Sequence, residues 1–123
     1  MKVQQIEKPW GYEVLVAHSE SYAGKILCIH AGHRLSLQHH ASKDETLFLL
    51  QGDVELEWES DRLDCRRQRM RSDESYRVRA GQRHRLVALS DSHVLEISTP
   101  ELDDVVRWAD DYGRSDAASG SKR

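Results

Sequence analysis

The chain has 123 residues, of which 38% are hydrophobic and 32% charged, and a formal net charge of −3. That length suits one domain with its own core. No run approaches the roughly 18–20 apolar residues of a membrane span, and the charge balance gives nucleic acid no general field to follow.

The N-terminal stretch MKVQQIEKPWGYE lacks the apolar core of a signal peptide, so a cytoplasmic location is expected. Cys28 and Cys65 are too few for a disulfide framework and form no CxxC pair, which predicts two reduced thiols. The run KILCI (25–29) reads as a strand leading to Gly32. Lys25 shares strand parity with Leu27 and Ile29 and is expected to face inward. That is costly for a lysine unless it is paired or near solvent, so Lys25 is a candidate for a substrate hydroxyl, carboxylate or phosphate.

RLSLQH (34–39) alternates. If the alternation continues, Gln38 and His40 share one face and His39 lies on the other. ETLFLLQG is apolar and ends at Gly52. DVELEWE then alternates strictly, with Val54, Leu56 and Trp58 on one face. Its acidic face meets an arginine run, RLDCRRQRMR. A hairpin turning near Arg62 sets Glu57 opposite Arg67 and Glu55 opposite Arg69. Such cross-strand pairs contribute roughly 0.2–1 kcal/mol each, so the run reads as a self-neutralised outer face rather than a nucleic-acid footprint.

SYRVRAG, HRLVAL (84–89) and HVLEIS (93–98) complete a series of short strands separated by turn residues, which predicts an all-β barrel or sandwich. Glu96 interrupts the last of these runs, and facing inward it could pair with Lys25 or orient a metal-bound ligand. Thr99 as a cap, Pro100 at the first helical position, and Leu102, Val105, Val106 and Ala109 at helical spacing predict one short C-terminal helix. The barrel and its helix are placed in residues 1–114, and a disordered tail in 115–123. Trp10, Trp58 and Trp108 are expected in the core; His18, His30, His33 and His93 are expected at the surface.

One constellation carries chemistry. Gln38, His40, Glu45 and His84 offer an amide oxygen, two imidazoles and a carboxylate, a nitrogen/oxygen set suited to a divalent transition metal. Zn, Mn, Fe, Co and Ni all fit such ligands, and a set of this size leaves positions open for substrate or water.

The spacing from Gly32 through Gln38, His40 and Glu45 to Gly52 resembles the first cupin motif, with glutamine where the first histidine usually stands. DESYRVRAGQRHRLVA (73–88) resembles the second, keeping Gly81 and His84. With EKPWGYEVL, GKILCIHAGHRLSLQ and LDDVVRWADDYGR around them, these motifs resemble small cupins like the C-terminal isomerase domain of type II mannose-6-phosphate isomerases, from about Glu7 to Arg114. Ser42 stands where that family often has a further histidine.

The resemblance implies a double-stranded β-helix, or jelly roll, and a homodimer. It also implies a metal on Gln38, His40, Glu45 and His84, with His39 left off it. The implied activity is a sugar or sugar-phosphate isomerase in which the metal polarises a carbonyl and hydroxyl pair. Glu96 and Lys25 are then the candidate catalytic groups and Arg107 the candidate substrate contact. Two other readings stay open: an Fe(II)-dependent cupin dioxygenase, and a non-catalytic cupin that binds a carbohydrate or organic acid.

Overall fold

The computed structural model describes residues 2–116. Eleven strands follow in chain order: β1 (Gln4–Lys8), β2 (Gly11–His18), β3 (Ala23–Ile29), β4 (Leu37–His39), β5 (Glu45–Gln51), β6 (Val54–Glu59), β7 (Cys65–Arg69), β8 (Ser75–Val78), β9 (His84–Ala88), β10 (Ser92–Ser98) and β11 (Val106–Ala109). They form two antiparallel sheets, one ordered β1-β2-β3-β10-β5-β8 and the other β11-β4-β9-β6-β7. This is the all-β jelly roll that the resemblance implied.

Alternation in the sequence becomes burial in the structure. Val54, Leu56, Leu47, Leu49, Leu27 and Ile29 point between the sheets and are buried, together with Trp10 and Val78. The β6–β7 hairpin has the expected register, with Glu57 opposite Arg67 and Glu55 opposite Arg69. Gly52 ends β5 at a φ of +101°, where a Cβ would overlap the Ser92 hydroxyl; only glycine meets both conditions. Cys28 is buried and Cys65 exposed, and both are free thiols.

The C-terminal helix expected over 99–109 is not formed. Val106–Ala109 is instead strand β11, which pairs with β4 through Val106–His39 and Arg107–Gln38. Two features explain the difference. The short strand β4 has an open edge whose backbone groups need partners, and Val105, Val106 and Trp108 are residues that favour extended chain. Thr99 does not cap a helix; its hydroxyl oxygen accepts the Asp44 N–H at 3.0 Å. In the segment assigned to the tail, the Ser115 hydroxyl donates to the Trp108 carbonyl, and an Asp116 carboxylate oxygen accepts the Arg107 N–H. Residues 117–123 lie outside the described part of the chain.

Strand register sets two rows of side chains facing each other across the interior. In the five-stranded sheet Arg107, Gln38, His84 and Trp58 are successive cross-strand partners. In the six-stranded sheet Lys25, Glu96 and Leu47 are successive partners. Polar groups gather at the β11/β4 end of this interior, and apolar ones fill the rest.

Candidate metal centre

His40, Glu45 and His84 converge inside the barrel from the end of β4, the start of β5 and the start of β9. One ligand atom from each lies within 4.8 Å of the others. His40 Nε2 is 3.3 Å from Glu45 Oε1, and His84 Nε2 is 3.3 Å from Glu45 Oε2. Their exposures are 2%, 3% and 3%, so water does not solvate them.

Both imidazoles are oriented from behind by backbone. His40 Nδ1 lies 2.6 Å from the Asp104 carbonyl, and His84 Nδ1 lies 3.0 Å from the Gln82 carbonyl. A carbonyl only accepts, so each Nδ1 carries a proton and each Nε2 is the ring nitrogen turned to the centre. Metal-binding histidines are oriented in the same way. His40 Nε2 is buried with no hydrogen-bond partner, and Glu45 Oε1 faces the Lys43 ammonium 3.2 Å away. An orphaned buried nitrogen is rare and costly, and an imidazole nitrogen beside a carboxylate suits a divalent cation. The residues present therefore fit a metal. Gln38, the Cα partner of His84, lines the same cavity, and its Oε1 accepts the Ser36 hydroxyl at 2.7 Å.

Lys43, which the sequence reading did not single out, sits at the centre of the charges. Its Nζ lies 3.2 Å from Glu45 Oε1 and 3.1 Å from Glu96 Oε2, and the residue is buried. Burial pushes the Glu45 carboxyl up, but the two imidazoles and the Lys43 charge outweigh it and hold the carboxyl well below its usual range. Burial, reinforced by Glu45, pushes Glu96 up against the opposing pull of Lys43 and Lys25.

Glu96 and Lys25 both face inward, as their strand parity requires, but they do not pair with each other. Lys25 Nζ pairs with Glu13 Oε1 at 3.3 Å, and Glu96 pairs with Lys43. A cavity of about 70 Å3 brings Lys25, Gln38, His40, Glu96 and Arg107 together. A larger groove of about 670 Å3 opens between the turns that follow β6 and β8. Trp58, Arg79 and Arg83 line it, and none of the three converging side chains does.

His39 faces away from the centre, as the alternation predicts. It is not idle there: the Trp108 indole N–H donates to its Nδ1 at 2.8 Å, and the Arg83 guanidinium lies 4.0 Å above the Trp108 ring. Trp108 is thus a half-buried outer clamp on β11 and not a core residue. Arg34 makes a two-pronged contact to Asp111. Asp104 was also missed. Its carboxylate accepts the N–H groups of Ala41, Ser42 and Lys43, fixing the loop between the two ligand strands. Short carboxylates often bind loop backbone in this way, but nothing local connects residues so far apart in sequence.

The family model described as mannose-6-phosphate isomerase C-terminal matches residues 1–110. The chain belongs to this family. No curated protein matches this member of it. Among solved structures, KdgF from Halomonas sp. superposes with a TM-score of 0.70 at 23% identity, covering 84% of this chain and 91% of that one. Oxalate decarboxylase from Bacillus subtilis superposes at 0.73 with 13% identity, over 85% of this chain and 30% of that one. CapF, a capsular polysaccharide assembling protein from Staphylococcus aureus, superposes at 0.70 with 15% identity, also covering 85% and 30%. At these identities the likeness establishes the fold that this family member shares with them.

Proposed function

We propose that the chain is a metal-dependent sugar or sugar-phosphate isomerase whose divalent metal is held by Gln38, His40, Glu45 and His84. One observation carries this reading: two imidazoles fixed through Nδ1 aim Nε2 at a buried carboxylate, and His40 Nε2 has no hydrogen-bond partner. When bound, the metal supplies a Lewis acid that polarises a carbonyl and adjacent hydroxyl and acidifies the carbon between them.

The chain's own groups do the rest. Glu96 lines the same cavity as His40, and its raised proton affinity suits a group that takes a proton from one carbon and returns it to the next. Lys43 holds the Glu96 carboxylate in place. Lys25, anchored by Glu13, offers N–H donors to a substrate oxygen, and Arg107 reaches the cavity from the strand beside Gln38.

A homodimer is part of the proposal. The outer face of the six-stranded sheet carries a cross-strand row of Val14, Ile26, Leu95 and Phe48, with Val16 and Ile97 exposed nearby. An apolar face of that kind suits a second copy, and light scattering measures the mass in solution.

The function is tested by assaying metal-loaded protein for interconversion of hexose and pentose aldose and ketose phosphates. Metal analysis of the wild type, His40→Ala and His84→Ala runs alongside. Turnover that disappears with the metal supports the reading, and a metal-loaded protein inert toward all of these sugars overturns the isomerase.

A further inference from the structure

The C-terminal loop after β11 brings a second arginine to the cavity. Arg114 lines it beside Arg107. Its Nε and Nη2 donate to Asp110 Oδ2 and Oδ1, each at 3.0 Å, and its backbone N–H donates to Oδ2 at 2.7 Å. The Asp110 side chain is fully buried while that of Arg114 keeps 27% exposure, so the carboxylate is a fixed anchor and the guanidinium is the group presented. A guanidinium has five N–H donors. Two of them are spent on Asp110.

Arg107 is the complement. Among the described residues no carboxylate pairs with it, and its Nε is buried without any partner. Of the cavity's other charged side chains, Lys25 pairs with Glu13, Lys43 lies between Glu45 and Glu96, and Asp104 accepts from three backbone N–H groups, while Lys8 lines the cavity from β1. Among the described residues Arg107 is thus the cavity's guanidinium without a carboxylate partner, and it sits on the C-terminal segment beside Arg114. Cross-strand register fixes its distance from the centre. Arg107 is two strands from His84 in one row, about 10 Å at roughly 4.8 Å per strand.

We propose that Arg107 and Arg114 form a two-arginine clamp for an oxyanion carried by the substrate, with Asp110 as the positioning residue that holds Arg114 in the clamp. The inference rests on the reading that this cavity takes the substrate, and it adds which end of the substrate goes where. The reacting end lies at His40, Glu45 and His84, and a phosphate or carboxylate lies toward the C-terminal segment. Paired planar forks suit either oxyanion better than lysines would.

The test is calorimetric titration of the full chain with inorganic phosphate and, separately, acetate, with metal present and after chelation. Saturable 1:1 binding of one anion is expected in both conditions. Stronger binding of phosphate assigns a phosphate-bearing substrate, and stronger binding of acetate assigns a carboxylate. Arg107→Gln and Arg114→Gln should each weaken binding by about tenfold or more, the loss of one charged hydrogen bond. His40→Ala should leave it within about twofold. Asp110→Asn should weaken binding in the wild-type background but not in Arg114→Gln, a dependence that a merely structural role would not produce. Thermal melting identifies any variant that fails to fold, and the lysine variants Arg107→Lys and Arg114→Lys then replace it, with partial loss expected. The clamp is overturned if neither anion binds the wild type, if folded arginine variants bind as the wild type does, or if His40→Ala abolishes binding. A wild type that binds anion but never metal separates the failure of the metal reading from that of the clamp.

Discussion

Gln38 and His84 are direct partners across β4 and β9, with Arg107 the next residue in the same row. An amide, an imidazole and a guanidinium thus line one course of the barrel interior, opposite Lys25 and Glu96 on the facing sheet. The chemistry of the site follows from this registration.

Metal content follows from the orphaned His40 Nε2 and the imidazole that converges with it. His40→Ala and His84→Ala should each reduce bound metal to background in elemental analysis, because each removes an imidazole already oriented through Nδ1. Gln38→Ala should weaken metal without abolishing it. Metal retained in both histidine variants would refute the ligand assignment.

Glu96→Gln should keep its metal and lose about 10²–10⁴-fold in turnover, the usual contribution of one proton-transfer group. The amide can still accept from Lys43. Unchanged turnover in the metal-loaded variant would remove Glu96 as the base.

Lys43→Met should be the most destabilising single change in the cavity. It leaves Glu45 and Glu96 buried without the cation between them, and breaking a buried pair costs about 3–5 kcal/mol. Urea unfolding measures this directly, and a loss below about 1 kcal/mol would mean that other groups carry the compensation.

Asp110→Asn carries a pH signature. Burial raises the Asp110 carboxyl, but its hydrogen bonds with Arg114 outweigh that and hold it below the usual range. A depressed carboxylate stabilises the fold above its unfolded pKa of about 3.9 and loses that contribution as pH falls through the folded value. The wild type should therefore exceed Asp110→Asn by about 1–3 kcal/mol at neutral pH, and the gap should close in acid. A gap that stays constant to low pH would show that charge is not involved.

Much of the fold was legible because its signals are local. Strict alternation in DVELEWE predicted the buried face and, with the arginine run, the correct register of Glu57 opposite Arg67, although the Arg69 guanidinium turns to Asp53. The same rule turned Gln38 and His40 inward and His39 outward. It failed at 99–109, where apolar residues at helical spacing became β11 because an open strand edge was waiting elsewhere in the chain.

The sequence by itself determined the all-β class and the inward faces of its strands, because side-chain parity is a property of neighbouring residues, while the jelly roll and the ligand set were implied by resemblance to a family. Only the tertiary structure decided which charges meet. Lys25 found Glu13 and not Glu96, Lys43 came to lie between two carboxylates, and Asp104 came to hold a loop some sixty residues away. Those partnerships depend on how two sheets stack and slide against each other, and each is settled by the cost of leaving a buried charge unpaired.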